Sequence, residues 1–167
     1  MRPMYESWYE RISAPFRSPS AARAIVVGDK LLVYIIAAAY LGTLAWLAYV
    51  GDMRFVRAAA VPAATFVLVS ILRKAIDAPR PYQTHNIDPI IHKDRLGQSM
   101  PSRHIASAVI ISCALGWIWP AAGIAAGLAC CVVAFTRIVG GVHFPRDVVA
   151  AILIALACGF VGFVLVP

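Results

Sequence analysis

His143 and Asp147 stand four residues apart, behind Arg137, in the stretch FTRIVGGVHFPRD at residues 135–147. If a helix begins at Pro145, that spacing lets the carboxylate reach the imidazole. A carboxylate on one ring nitrogen fixes the tautomer and leaves the other nitrogen as nucleophile or base. Gly140 and Gly141 permit the sharp turn this needs, and Arg146 is expected to face outward. A second stretch, QSMPSRHIASAVIIS at residues 98–112, places Ser102, Arg103 and His104 at a helix start. Pro101 suits a first helical turn, Ser99 or Ser102 can cap it, and the unpaired amides there form an anion-binding end. A third, LRKAIDAPRPYQ at residues 72–83, gathers Arg73, Lys74 and Arg80, with Pro79 and Pro81 stiffening the chain between them. Guanidinium forks match phosphate oxygens, and lysine adds a point charge. Alone, each stretch has an ordinary explanation, because basic residues flank membrane spans and a histidine at a helix start is commonly just polar.

The elements that must hold these residues are apolar helices. Of 167 residues, 61% are hydrophobic and 14% charged, which excludes an ordinary soluble domain. Residues 31–50 and 148–166 carry no charge, and each is long enough to cross about 30 Å of hydrocarbon. A third apolar run, residues 58–72, reaches span length only with its flanks. Residues 105–136 are uncharged for too long to be one helix, and WIWP at 117–120 offers a break, with Pro120 starting the next helix. The expectation is an all-α integral membrane bundle of five transmembrane helices, preceded by an N-terminal interfacial helix. The chain reads as one domain over 1–167, with an amphipathic leader at 1–30 and a transmembrane core at 31–167. The leader has no apolar core before Ile25 and contains Pro3, Pro15 and Pro19, so a signal peptide is not expected. Within it Tyr5, Trp8, Tyr9, Ile12 and Phe16 form one face, opposite Glu6, Glu10 and Arg11.

Five spans place the leader, residues 73–103 and residues 137–147 on one side of the membrane. That side holds thirteen of the fifteen Lys and Arg residues and all four histidines, so everything able to do chemistry faces one way. Cys113, Cys130, Cys131 and Cys158 fall inside spans without metal-ligand spacing and read as packing residues; no metal site is expected. The net charge of +7 is divided among loops rather than gathered in a basic arm, which argues against nucleic acid and for an anion at the membrane surface.

Taken together, the three stretches resemble the motifs of the type 2 phosphatidic acid phosphatase (PAP2) superfamily, which also includes vanadium-dependent haloperoxidases. The family pattern is a lysine, six residues and Arg-Pro; then Pro-Ser-x-His; then Ser-Arg, five residues, His, three residues and Asp. Here the third motif reads Thr136-Arg137, His143, Asp147, with threonine for serine. The second reads Pro101-Ser102-Arg103-His104, with arginine where glycine is usual. The first counts correctly from Arg73 to Arg80-Pro81, Lys74 being one residue too close, and either basic residue is a candidate for the lysine's role. The resemblance implies that His143 attacks phosphorus and carries a phosphohistidine, that Asp147 holds its imidazole, and that His104 protonates the leaving group. It implies that Arg73 or Lys74, with Arg80, Ser102, Arg103 and Arg137, binds the phosphoryl oxygens. Fixed cations aimed at the oxygens of a phosphoryl transition state need no metal or other cofactor beside them.

The implied activity is membrane-embedded hydrolysis of a lipid phosphate or diphosphate: phosphatidate-like, phosphatidylglycerophosphate or polyprenyl. The alternatives are an anion or lipid transporter, disfavoured because the charges stop at one interface, and a vanadate-dependent haloperoxidase-like protein, whose relatives are large and soluble. His85 and His92 belong to no motif and read as solvated loop residues, with contact to substrate as the alternative. Gly123-x-x-x-Gly127 can pack helices within the bundle or in a homo-oligomer. The expected location is the cell membrane, multi-pass. The excess of Lys and Arg puts the motif side in the cytoplasm, while the resemblance puts it outside, and the sequence leaves the face open.

Overall fold

The computed structural model describes residues 4–94 and 96–166; Pro3 of the leader and Arg95 of the loop lie outside the described residues. Helix α1 (Met4–Ser13) and a 3-10 turn (Ala14–Phe16) precede α2 (Pro19–Val50). Ser18 caps α2, its hydroxyl accepting from the Ala21 amide, and Pro19 supplies a first position that has no amide to leave unpaired. The helix then runs unbroken for 32 residues. It passes without interruption through residue 30, where the sequence reading divides leader from core. Arg23, Asp29 and Lys30 do not stop the helix, since Asp29 is buried against a cation on a neighbouring helix.

Gly51, at φ +69°, ends α2 in the left-handed conformation that glycine adopts without strain. Asp52 then accepts from the Arg54 amide to start α3 (Arg54–Ile76). After α3 the described residues up to 102 are irregular apart from one turn, α4 (Pro81–Thr84). The chain re-enters the bundle as α5 (Arg103–Ile118), reverses at Trp119 into α6 (Pro120–Val139), turns through residues 140–144 and closes with α7 (Pro145–Phe160). The break at WIWP and the helix starts at Pro120 and Pro145 fall where the sequence places them. The last turn widens to a π-helix over Val161–Leu165.

The protein is an all-α bundle with four long apolar membrane-spanning helices: α2, α3, α6 and α7 with its π extension. The sequence reading expected five. Helix α5 has 16 residues, about 24 Å at 1.5 Å per residue, because residues 97–102 are irregular, with Gly97 and Gln98 at positive φ, and helix begins only at Arg103. It is the central helix, packed against α2, α3, α6 and α7, which explains why it is apolar on every side. The outer faces of the long helices expose residues such as Tyr34, Leu41, Phe66, Leu128 and Leu153, as a lipid-facing surface requires.

At the α5–α6 hairpin the backbones nearly touch. A Cβ on Gly123 would lie 2.3 Å from the Gly116 Cα, whereas one on Gly127 would meet nothing within 4 Å. Gly123 thus serves packing inside the bundle. At the opposite end α1 folds onto the protein: the Tyr9 side chain is fully buried and donates to the Val139 carbonyl at 3.1 Å. Of the expected apolar face, Tyr5, Ile12 and Phe16 are partly buried, while Trp8 stays exposed.

Candidate active site

The buried polar residues converge where α3 ends, α5 begins and α6 turns into α7. Arg73, in the last turn of α3, is 5% exposed and donates to the Pro101 carbonyl at 2.7 Å, with Ser99 O at 3.4 Å. Lys74, the next residue, points outward and is exposed. Arg80 is also buried, its Nε donating to Gly97 O at 3.1 Å and Nη1 to Val142 O at 3.3 Å. Two arginines of the third stretch, LRKAIDAPRPYQ, therefore brace the backbone on either side of the site.

Gly141, at φ +73°, turns the chain after α6, and a Cβ there would lie 2.7 Å from the Tyr9 hydroxyl. The turn carries His143, 2% exposed, over the start of α7. Its Nδ1 lies 3.7 Å from Asp147 Oδ2, beyond hydrogen-bond length but aimed at it. Catalytic contacts of this kind shorten when substrate binds. The same oxygen accepts from the Phe144 amide at 3.0 Å and from the Ser99 hydroxyl. Ser99 Oγ also lies 3.4 Å from His143 Nδ1, so it sits between imidazole and carboxylate.

This corrects the reading of the second stretch. Ser99 is an Asp147 partner rather than a helix cap, and Pro101 precedes the helix instead of occupying its first turn. Ser102 is the N-cap residue by position, but its hydroxyl makes no capping bond; it is fully buried and unpartnered. A buried hydroxyl at a helix start, beside unpaired amides, is suited to an anion. Arg103 is partly exposed, its guanidinium 5.3 Å from the Phe66 ring centre. His104 follows, within electrostatic reach of Arg137 and His143.

Arg137 closes α6 at 3% exposure, with Nε 2.8 Å from Asp29 Oδ1 on α2. Thr136 donates to the same oxygen at 3.0 Å, whereas Nε and Nη1 of Arg137 are buried without a hydrogen bond to the protein, the Nε contact with Asp29 being an ion pair. The sequence reading missed Asp29. Its only signal there was an acidic residue one turn from a fully apolar run, a position at which a carboxylate is costly unless paired.

His143 lies in the turn outside the helices. Burial in the first place, and the charges of Arg80 and Arg137, lower its pKa from 6.5 to about 4, against the opposing pull of Asp147. At neutral pH the imidazole is uncharged. With Nδ1 turned to Ser99 and Asp147, the lone pair of Nε2 is the one available for attack. Among the described residues no group of three or more His, Cys, Asp or Glu is placed to hold a metal ion. The donor set is cationic and selects an anion.

His92 is exposed as expected, and His85 is only partly exposed, packed against aromatic rings. Its ring lies 4.6 Å from Tyr5 and 5.8 Å from Phe144, ring centre to ring centre. Arg146 faces outward as expected, its side chain 67% exposed and stacked over Phe144.

The PAP2 superfamily model matches residues 54–167, which is α3 through the C-terminus and contains all three motifs. The chain belongs to the PAP2 superfamily. Two solved structures share its fold. The crystal structure of Aquifex aeolicus LpxE is 23% identical with a TM-score of 0.73, the match covering 93% of this chain and 92% of that one. A transmembrane PAP2-type phosphatidylglycerolphosphate phosphatase from Bacillus subtilis is also 23% identical, with a TM-score of 0.66 and coverage of 95% and 84%. No curated protein matches the sequence significantly. The chain is thus a multi-pass membrane protein of the PAP2 superfamily, and its N-terminal helices α1 and α2 lie outside the residues the family model matches.

Proposed function

We propose that this PAP2 protein hydrolyses a lipid phosphate or diphosphate through a phosphohistidine. The observation that carries the lipid assignment is the surface beside His104. Arg103 and His104 line a cavity of about 270 Å³ between α2, α3 and α5, whose other walls are Val33, Ile36, Ala37, Phe66, Ser107, Ala108 and Ile111. His104, the residue that the motif resemblance makes the leaving-group acid, therefore borders largely apolar space among membrane helices, where an acyl or prenyl chain is at home.

In the reaction, Nε2 of neutral His143 attacks phosphorus while the bond to the lipid oxygen breaks, and His104 gives that oxygen a proton. Asp147 and Ser99 steady Nδ1 as the ring gains positive charge. His104, now a base, takes a proton from the water that attacks the phosphohistidine, which releases inorganic phosphate and restores both histidines. Charge growing on the phosphoryl oxygens meets Arg137, the Ser102 hydroxyl and the α5 amides, with Arg73 and Arg80 close by. Arg73, which is buried, fills the role of the first-motif lysine. The cations do the work a metal does in other phosphatases, and no cofactor is required.

Phosphatidylglycerophosphate heads the substrate panel, because the Bacillus subtilis relative of the same fold is named for its phosphatase activity on that lipid. Phosphatidate and polyprenyl phosphates and diphosphates complete it. Helix α5 is proposed as a fifth crossing through the centre of the bundle, placing the C-terminus opposite the site. The activity of a reporter fused there would then assign the face. The deciding experiment measures phosphate release with chelator present by wild-type and His143→Ala protein. Release by wild type alone supports the mechanism; equal release by the variant overturns it.

A further inference from the structure

Asp29 is the one buried carboxylate among the described residues that no motif claims, and it comes from a helix outside the family match. It is 4% exposed, and a single oxygen, Oδ1, meets Arg137 Nε at 2.8 Å and the Thr136 hydroxyl at 3.0 Å. We propose that Asp29 is a positioning residue for phosphoryl transfer, acting through Arg137; the proposal rests on the phosphatase reading above.

A guanidinium is a rigid plane, so an acceptor on its Nε edge decides which way the opposite N–H groups point. Here the Asp29 carboxylate holds that edge from α2 as an ion pair, while Nε and Nη1, both buried, make no hydrogen bond to the protein. An arginine whose task was only to neutralise Asp29 would leave no such donor in the interior, because an unsatisfied buried N–H is unfavourable. The acceptor of suitable charge is a phosphoryl oxygen of the substrate. Thr136 belongs to the same device. It stands where the family pattern has serine, and its hydroxyl divides between Asp29 and the Val133 carbonyl at 2.8 Å, tying the last turn of α6 to α2. One carboxylate thereby sets both the orientation of Arg137 and the register of the turn that leads to His143.

The test uses full-length protein in detergent micelles and two readouts. Calorimetric titration with orthovanadate, an anion that mimics the phosphoryl group, needs no knowledge of the substrate. Phosphate release is followed on the lipid of the panel that wild type hydrolyses best. Asp29→Asn keeps size and an acceptor oxygen but removes the charge. It is expected to lower kcat and weaken vanadate affinity together by about tenfold, and Asp29→Ala by up to about a hundredfold, with KM changed much less. In an Arg137→Ala background Asp29→Asn is expected to cost nothing further, because the group through which it acts is gone.

If Asp29 only holds α2 against α6, the variants lower Tm but the folded fraction keeps wild-type kcat and vanadate affinity; that result overturns the proposal. Should Asp29→Ala fail to fold, the isosteric Asp29→Asn carries the test alone. Failure of the phosphatase reading looks different: His143→Ala and Arg137→Ala then retain phosphate release, or wild type binds no vanadate.

Discussion

The two ends of this bundle bury different things. At the site end the interior holds Asp29, Arg73, Arg80, Ser99, Ser102, Thr136, Arg137, His143 and Asp147. At the other end Leu47, Ala58 and Ile118 form an apolar cluster, Trp46 packs at a tilt against Trp119, and Gly116 meets Gly123 backbone to backbone. Even the buried Thr43 and Thr65 between the ends turn their hydroxyls back to their own helices, at Ala39 O and Val61 O. The helices are the same, so the difference lies in what each end requires. The hairpin end fixes helix spacing by close approach of small residues, whereas the site end accepts the cost of buried charge to hold donors in place.

Substitutions that separate rate from stability test this division. Asp147→Asn should produce the largest effect, a fall in kcat of about 10³–10⁴-fold, because it removes the charge that faces His143 Nδ1 while nearly preserving shape. Phosphate release at saturating lipid measures it. Arg73→Ala should cost about 10²–10³-fold. It should also lower Tm, since Arg73 braces the Ser99 and Pro101 carbonyls. At the far end, Gly123→Ala should destabilise by about 1–3 kcal/mol through overpacking, read by thermal unfolding in detergent, with kcat of the folded enzyme near wild type. A large kcat loss from Gly123→Ala would break the comparison by showing that the two ends are coupled.

Most of the fold could be read from the sequence, for physical reasons that also mark where the reading stopped. Pro120 and Pro145 announce helix starts because proline fits a first turn, and charge-free runs announce spans because hydrocarbon excludes charge. The limit of α5 was hidden: nothing in QSMPSRHI distinguishes an irregular approach from a helical one, so the count of full-length spans came out one too high. Motif spacing identified His143, Asp147, His104 and Arg137, but it could not reveal partners that meet through tertiary packing alone. Ser99 read as a cap because serine before a helix usually is one. Asp29, 107 residues from Thr136, was invisible to any local pattern.

The charge on His143 sharpens the comparison with a smaller effect. Between pH 6.5 and about 4 the unfolded chain binds a proton at this residue that the folded site rejects. Folding stability from this group is therefore complete above pH 6.5 and declines as pH falls through that window. Activity that needs the neutral ring should persist well below pH 6.5, with the His143 acid limb of kcat/KM near pH 4. His143→Gln should flatten its part of the decline in Tm on acidification. A His143 limb at the ordinary histidine value would mean that water reaches the imidazole freely.

The smallest expected effect tests a choice between neighbours. Lys74→Ala should change kcat/KM by less than about twofold, as typical for a surface substitution away from special features. The sequence offered Lys74 and Arg73 as equals in charge, separated only by spacing from Arg80. One residue on a helix is about 100° of rotation, so when α3 turns Arg73 into the bundle, Lys74 must leave it. Burial of the first and exposure of the second follow from that geometry. Exchanging the pair in a Arg73→Lys/Lys74→Arg double variant keeps the net charge and the local composition but replaces the buried fork by an ammonium. If orientation and donor geometry govern the site, this exchange should reproduce much of the loss seen with Arg73→Ala; if local charge alone governs it, the exchange should be silent.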